Sequence, residues 1–155
     1  MSTTARSAGP SALSSRGLVD PRGLRFAATL TSAVLAVALV LAPSPAAVVL
    51  VAVQTLFFGI AAAAGVQQAP YSWLFKTFLR PRLGRPAELE DPAPPRFAQA
   101  VGLAFSAVAL AGFLTGLDLL GVVATGFALA AAILNAAFGL CLGCELFLLG
   151  RRALH

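Results

Sequence analysis

Charged residues are scarce in this sequence: Asp, Glu, Lys and Arg make up 11% of its 155 residues, whereas 59% are hydrophobic. Soluble globular domains carry roughly a quarter charged residues. A chain with so few charges cannot cover a surface that faces water, so part of its solvent must be lipid. The net charge of +5 does not indicate nucleic-acid binding, because the basic residues are not interleaved with aromatic residues that could stack on bases.

Cysteine and histidine are also scarce, with two residues and one residue respectively. Two cysteines exclude a disulfide-stapled scaffold and leave few ligands for a metal. Zinc bound by Cys141, Cys144, Glu145 and His155 is a weak alternative, because these four are not a standard zinc set and a terminal histidine is expected to fray. The sequence therefore predicts neither a metal site nor a cofactor.

Long apolar stretches are what the sequence has instead. There are four, each long enough to cross about 30 Å of hydrocarbon, at residues 24–42, 46–65, 97–117 and 119–149. Backbone amides inside a bilayer must be paired within the chain, which favours helices. The predicted fold is therefore an all-α membrane protein with four transmembrane helices as two helical hairpins, spanning residues 20–152 after a disordered cytoplasmic tail at 1–19.

The start of the first stretch carries helix signals, since Asp20 can cap unpaired backbone amides and Pro21 suits the first helical position. A basic start, an apolar run and Ser44-Pro45-Ala46 also resemble a secretory signal peptide with its cleavage site. The apolar run is longer than the usual core of about 7–15 residues in such signals, so an uncleaved span is preferred.

The basic residues predict the orientation of the four spans. All 11 Lys and Arg residues precede or begin the first span, lie in the loop between spans two and three, or follow the fourth span. The two remaining loops, at 43–45 and around Asp118, contain none. This distribution places both termini and the long loop in the cytoplasm of a multi-pass protein of the cell membrane.

The long loop is predicted to contain an amphipathic helix at about 70–80 that lies in the plane of the lipid headgroups. Its apolar residues recur at helical spacing: Tyr71, Leu74, Phe75 and Phe78. Pro81 is expected to end this helix and to begin a Pro-rich loop over 81–96. Within that loop, the acidic strip at 88–95 is either a stiff connector or a docking strip for a cytoplasmic partner.

Both cysteines fall in one Cys-x-x-Cys motif, Cys141-Leu142-Gly143-Cys144, which is followed by Glu145. On a helix, residues i and i+3 share a face, so the two sulfurs can meet. This spacing serves thiol–disulfide exchange, because one thiolate attacks and its neighbour resolves the mixed disulfide. The alternative is that both cysteines are small apolar residues that only pack the helix.

The depth of this motif follows from the fourth stretch, because a helix over 119–149 would be about 46 Å long and would exceed the hydrocarbon thickness. Cys141 would lie about 33 Å along it, at the cytoplasmic interface. The reducing cytosol argues against a static structural disulfide there. Glu145 would relay a proton from a thiol or pair with Arg151 or Arg152. Together with the negative end of the helix dipole, its charge would disfavour a thiolate.

Two polar residues, Gln54 and Asn135, are predicted near the middle of the bilayer, where each joins helices or contacts a ligand. Small residues spaced four apart predict close packing of spans three and four. They are Gly112 and Gly116 on one span and Asn135, Gly139 and Gly143 on the other. No repeat of about 20–50 residues is evident, and no side-chain correspondence between the hairpins is predicted.

Five segments carry a family resemblance: Asp20-Pro21-Arg22-Gly23-x-Arg25-Phe26, Arg80-Pro81-Arg82-Leu83-Gly84, Glu88-Leu89-Glu90-Asp91-Pro92, Arg96-Phe97-Ala98-Gln99 and Cys141-Leu142-Gly143-Cys144-Glu145. With these segments in this order, the chain from about residue 20 to residue 152 resembles a bacterial membrane family catalogued as domain of unknown function 4395. The resemblance implies a multi-span protein that ends in Cys-x-x-Cys-Glu and is often associated with thioredoxin-like and sulfurtransferase-type proteins.

The leading functional hypothesis is thiol–disulfide or persulfide exchange at the cytoplasmic face, between Cys141, Cys144 and a soluble thioredoxin-like or sulfurtransferase-like partner, with Glu145 assisting proton transfer. Three arginines of the long loop would guide the partner or a small sulfur anion: Arg80, Arg82 and Arg85. One alternative is a transporter of a small sulfur-containing anion. Another is a non-catalytic scaffold that recruits soluble partners. Self-association through small-residue helix faces is a further expectation.

Overall fold

A computed structural model describes residues 17–155, so most of the tail predicted at 1–19 lies outside the described residues. Six helices are present in this range, and no strand longer than a single bridge accompanies them. The four long helices are α1 (Pro21–Leu41), α2 (Pro45–Ala64), α4 (Ala93–Leu114) and α5 (Asp118–Phe138). Two shorter ones are α3, which joins Pro70–Leu74, Phe75–Leu79 and Arg80–Leu83, and α6 (Leu142–Ala153). The predicted all-α fold is confirmed.

The four long helices have the length and surface of membrane spans. They contain 20 to 22 residues each, which corresponds to about 30–33 Å and matches the hydrocarbon thickness. Only 22% to 28% of the most apolar window of each helix is buried within the protein. Large apolar side chains such as Val40 and Leu119 are 84% and 78% exposed. Such a surface is stable against lipid, which supports a multi-pass membrane protein.

The four spans form a closed bundle in which α1 and α4 each pack on both α2 and α5. One half of the bundle has a tightly packed core formed by Ala38, Val51, Ala109, Phe113 and Ala124. In this half α4 and α5 approach most closely at two glycines, since a Cβ added to Gly112 would lie 2.7 Å from the Gly121 nitrogen. The close packing of spans three and four is therefore present, but Gly121 makes it, not the predicted row of Asn135, Gly139 and Gly143.

Arginine side chains hold together the opposite half, at the end where α1 and α4 begin and α2 and α5 end, called here the arginine end. Arg25 of α1 donates to the carbonyls of Ala136 and Ala137, 3.2 and 3.4 Å away, in the last turn of α5. Arg96 of α4 donates to Ala62 and Ala63 of α2, at 2.6 Å each. These carbonyls have no partner within their own helices, so the guanidinium groups satisfy them and complement the negative helix ends.

A third arginine, Arg22, acts in the same way on α3. Its two terminal nitrogens donate to the Leu83 and Gly84 carbonyls, at 3.2 and 3.0 Å, where α3 ends. The sequence indicated these arginines only as an orientation signal. The structure gives Arg22, Arg25 and Arg96 a second role, because each joins the start of one span to the end of another helix.

The two halves of the chain correspond to each other, contrary to the prediction of no side-chain correspondence. Arg25-Phe26-Ala27 in α1 recurs as Arg96-Phe97-Ala98 in α4, 71 residues later. Phe26 packs on Phe75 of α3 with ring centroids 5.9 Å apart, and Phe97 packs on Phe147 of α6 at 5.7 Å. Each half is thus a hairpin of two spans followed by a short helix that folds back onto its first span.

The short helix α3 occupies the region predicted for the interfacial helix but differs from it in two respects. It continues through Pro81 to Leu83, because proline is tolerated in the first turn of the final α-helical segment. A π-helical turn over Phe75–Leu79 changes the direction of the following side chains. Phe75 is therefore buried beneath α1, whereas Phe78, predicted on the same face, is 57% exposed.

The connector after α3 is shorter than predicted, because α4 begins at Ala93 and takes in the last part of the expected loop over 81–96. Glu90 pairs with Val19 through two backbone hydrogen bonds of 2.9 Å. This pairing ties the acidic strip to the segment that precedes α1. Its extended part is therefore fixed to the protein, which favours the connector interpretation over a free docking strip.

The start of α1 is stabilised by Asp20, as the sequence predicts. The Asp20 carboxylate accepts a hydrogen bond of 2.9 Å from the Arg22 backbone nitrogen and pairs with the Arg22 guanidinium at 3.0 Å. Burial alone would raise the pKa of Asp20, but the hydrogen bonds from Arg22 and the positive charges of Arg22 and Arg80 hold that pKa below its ordinary value of 3.8.

We predict that Asp20→Asn lowers the free energy of unfolding at pH 7 by up to about 1 kcal/mol, because asparagine still caps the helix but loses the ion pair. The folded-state pKa is depressed, so the stabilisation is present above pH 3.8 and is lost as the pH falls below it. Thermal unfolding in detergent at pH 7 and pH 3 should therefore show a difference only at pH 7. Glu88→Gln, an exposed control, should show none; an equal loss at both pH values would contradict the prediction.

Candidate functional site

The fourth apolar stretch is broken by Gly139. The sequence predicts one span over 119–149, but α5 ends at Phe138 and α6 begins at Leu142. Gly139 has a φ of 66°, a left-handed conformation that glycine adopts without steric cost, and its N–H donates to the Asn135 carbonyl at 3.0 Å. Arg25 supports the same helix end. The break shortens the span to 21 residues and removes the excess length that a single helix would have.

Cys141 and Cys144 stand at the start of the new helix and not at the end of a long one. Cys141 is the N-cap of α6, with an extended backbone at φ −88° and ψ 100°, and its sulfur accepts the Cys144 backbone N–H at 3.3 Å. Cys144 lies in the first turn. The two Cα atoms are 5.2 Å apart and the two sulfurs are in bonding contact as a disulfide. The structure thus shows the pair in its oxidised form.

The cysteine pair is held close to the bundle because α6 packs against the first turns of α4. Gly143, between the two cysteines, is so close that an added Cβ would lie 2.5 Å from the Ala98 Cα. Phe147, one turn further along α6, packs on Phe97 and also lies beneath the guanidinium of Arg151 at 6.0 Å from its ring centroid. Glycine at position 143 is therefore required for the position of the pair over α4.

The electrostatic setting of the pair is opposite to the predicted one. The sequence placed both cysteines near the negative end of a helix, whereas they lie at the positive N-terminal end of α6, which stabilises negative charge on sulfur. Glu145 is also in this first turn and is exposed. Its side chain makes no hydrogen bond or ion pair with any residue in the described range, so neither Arg151 nor Arg152 is its partner.

A cavity of about 310 Å³ lies inside the arginine end of the bundle, with Cys141 in its wall. All four spans and both short helices contribute to its lining. Aromatic and aliphatic side chains predominate, and no Lys, Arg, Asp or Glu side chain reaches it. The predicted intramembrane residues Gln54 and Asn135 both face this space, together with Gln99, Thr31 and Tyr71. The cysteine motif and the polar residues of the spans thus belong to one site.

Gln54 connects three elements across this cavity. Its side chain is 1% exposed, accepts a hydrogen bond of 2.8 Å from the Tyr71 hydroxyl of α3, and donates to the Thr31 hydroxyl of α1 at 3.4 Å. Burial raises the pKa of the Tyr71 hydroxyl, which therefore remains a proton donor at neutral pH. Of the two interpretations of Gln54, the network supports a role in joining helices and leaves one amide hydrogen for another acceptor.

The cavity exists because the two halves of the chain differ in side-chain size at corresponding positions. The capped ends Ala62-Ala63 of α2 and Ala136-Ala137 of α5 correspond at a separation of 74 residues. At this separation, three large residues of α2 align with three alanines of α5: Gln54, Phe57 and Phe58 align with Ala128, Ala131 and Ala132. The alanines leave space on the α5 side, and the aromatic rings of α2 line the other.

The predicted guidance arginines are exposed and lie on or just after the end of α3. Arg80 lines a smaller cleft of about 200 Å³ together with Lys76 and Asp20, whereas Arg82 and Arg85 do not. None of the three lines the cavity beside Cys141. Within residues 17–155, no group of three or more His, Cys, Asp or Glu side chains is arranged to hold a metal ion.

Sequence reasoning missed Thr31, Tyr71 and Gln99 as parts of the site. Their partners lie on other helices, so no local spacing connects them. It also missed the capping role of Arg25 and Arg96, for which a signal was present. The recurrence of Arg-Phe-Ala at the start of spans one and three indicates a shared structural task.

Comparison with known proteins agrees with the resemblance noted in the sequence. A sequence model described as Domain of unknown function (DUF4395) matches residues 19–152. No curated protein and no solved structure matches the chain. The matched range contains all four spans, the arginines that cap the helix ends and the cysteine pair. The chain therefore belongs to the family of unknown function DUF4395.

Proposed function

We propose that this protein exchanges a disulfide with a soluble thiol protein at the arginine end of the bundle, through Cys141 and Cys144. The observation that carries the proposal is the bonded cysteine pair at the N-terminus of α6. Two cysteines serving only as small packing residues would need neither bonding contact nor a helix N-terminus. A partner of thioredoxin-like or sulfurtransferase-like chemistry fits this dithiol.

The exchange proceeds in two balanced steps. A thiolate of the partner attacks one sulfur of the Cys141–Cys144 bond, forming a mixed disulfide and releasing the other cysteine as a thiolate. A second thiolate of the partner then attacks the mixed disulfide, leaving the partner oxidised and Cys141 and Cys144 reduced. The N-terminus of α6 stabilises the released thiolate. Glu145, exposed in the same turn, is suited to return a proton to it from water.

The same pair can process a persulfide. Sulfane sulfur bound to Cys141 is released as hydrosulfide when Cys144 attacks the Cys141 sulfur and forms the disulfide. A transporter for a sulfur-containing anion is less well supported, because no cationic side chain lines the cavity. The guiding role of Arg80, Arg82 and Arg85 remains part of the proposal and is supported by their exposure at the end of α3, on the surface that a soluble partner would meet.

The arginine end is proposed to face the cytoplasm, because all Lys and Arg residues of the chain lie outside the two short loops. In reduced membranes, a membrane-impermeant maleimide should label Cys141 and Cys144 in inverted vesicles and not in right-side-out vesicles. Leu117→Cys in a background lacking both native cysteines should show the opposite pattern, since Leu117 is 59% exposed in the turn before α5. Labelling of the native pair from outside intact cells would contradict the orientation.

The exchange itself is tested by trapping in intact cells. Cys141→Ser and Cys144→Ser should each leave one cysteine able to hold a partner as a stable mixed disulfide, because the resolving thiol is gone. Non-reducing electrophoresis followed by mass spectrometry should recover the partner with at least one single variant. The double Cys→Ser variant is the control and should trap nothing. Normal function of the double variant in vivo, with no trapped partner for either single variant, would overturn the proposal and favour a scaffold.

A further inference from the structure

The cavity beside Cys141 has a face that adjoins lipid. Phe105 of α4 and Phe127 of α5 line it, with ring centroids 6.0 Å apart, and both are also exposed on the outer surface of the bundle, at 39% and 60%. Only this pair of rings separates the cavity from the bilayer at that position. A molecule dissolved in the membrane could therefore enter by rotation of two side chains, without passing through water.

The polar groups of the cavity require an occupant that accepts hydrogen bonds. Thr29, Ser32, Thr55 and Thr125 each donate to the carbonyl four residues earlier, whereas Thr31 makes no such bond among the described residues. The Thr31 hydroxyl proton and the second amide hydrogen of Gln54 are therefore available to a ligand. No buried side-chain nitrogen or oxygen in residues 17–155 lacks both a partner and access to open space, so these groups reach the cavity itself.

A second set of hydrogen-bonding groups lies nearer to the cysteines. The Asn135 and Gln99 amides face the cavity and form no side-chain hydrogen bond with any residue described. By the correspondence of α2 with α5, Asn135 lies about 10 Å above Gln54 along the helix axis. That separation accommodates a six-membered ring with a hydrogen bond of about 2.9 Å at each end. The absence of charged lining residues selects a neutral ligand.

We infer that this cavity binds a lipid-soluble quinone, which accepts electrons from the Cys141–Cys144 dithiol after the dithiol has reacted with its soluble partner. This inference rests on the proposed function and names the second redox partner that it requires. An aromatic cavity, hydrogen-bond donors at two depths, an adjoining lipid surface and a redox-active sulfur in the wall are together the features that a quinone needs.

The step is balanced between the dithiol and the quinone. The Cys141 thiolate adds to the quinone ring, since Cys141 is the cysteine that lines the cavity. The Cys144 thiolate then attacks the Cys141 sulfur, the S–S bond forms, the S–C bond breaks, and its electron pair passes to the ring. The two protons given up by the thiols reach the two ring oxygens directly or through water. The products are one disulfide and one quinol.

Binding is tested on oxidised protein in nanodiscs by titration calorimetry with decylubiquinone, with empty nanodiscs subtracted. Ala132→Phe copies the corresponding Phe58 and fills the cavity, so the Kd should rise at least about tenfold, which corresponds to about 1.4 kcal/mol. Thr31→Val removes one donor and should raise the Kd several-fold. Ala130→Phe, on the exposed face of the same helix, is the matched control and should bind like the wild type.

Two results of the titration would overturn the inference. One is wild-type affinity in Thr31→Val together with wild-type affinity in Ala132→Phe; if Ala132→Phe does not fold, Thr31→Val decides alone. The other is equal affinity for decylbenzene, which has the same alkyl chain and no carbonyl oxygens, because the cavity would then be a lipid site. Tighter binding of the quinone than of decylbenzene is the expected result.

Electron transfer is measured separately with chemically reduced protein. Absorbance should show one quinol formed for each Cys141–Cys144 disulfide, and Cys144→Ser should bind decylubiquinone normally but form no quinol. If quinone binds while the dithiol stays reduced, this inference fails and disulfide exchange with a soluble partner can still stand. If quinol forms but no soluble partner is ever trapped, the quinone site stands and the proposed exchange fails.

Discussion

The ends of the spans present the main physical problem of this fold, because the last carbonyls of a helix have no partner within that helix and lipid offers none. The protein satisfies them with arginine side chains from neighbouring spans. Arg25 bonds to the end of α5 and Arg96 to the end of α2. Each guanidinium therefore closes a helix end and fixes the relative height of two spans. Both bonds lie at one end of the bundle, and the candidate site is built at that end.

The position of the cysteine pair depends on this arrangement. With α5 ended at Gly139 and capped by Arg25, the remaining residues form the separate helix α6, which lies across α4 and not along the axis of α5. The motif thereby moves from the negative end of a predicted long helix to the positive end of a short one. The corresponding positions of the first half, Ala69 and Ser72, carry no sulfur. Similar frames thus support different chemistry in the two halves.

Sequence pattern was sufficient for the four spans, because length and hydropathy alone decide whether a helix can cross a bilayer. The end of the fourth span could not be located in this way, since Gly139 lies within an apolar run and glycine is tolerated inside membrane helices. The network of Gln54, Thr31 and Tyr71 was also out of reach, because its members come from three elements. The repeated Arg-Phe-Ala was readable, but its spacing of 71 residues exceeds the period of ordinary repeat proteins.

The caps are the part of this account on which the rest depends, and all four acceptor carbonyls of Arg25 and Arg96 belong to alanines: Ala62, Ala63, Ala136 and Ala137. Solid-state NMR on bilayer-reconstituted protein, with ¹⁵N-guanidinium arginine and ¹³C-carbonyl alanine, measures the dipolar coupling between the two labels directly. The account predicts strong dephasing that falls in Arg25→Gln and again in Arg25→Gln/Arg96→Gln, but not in Arg82→Gln. Weak dephasing in the wild type, or dephasing unchanged in the double variant, would contradict it.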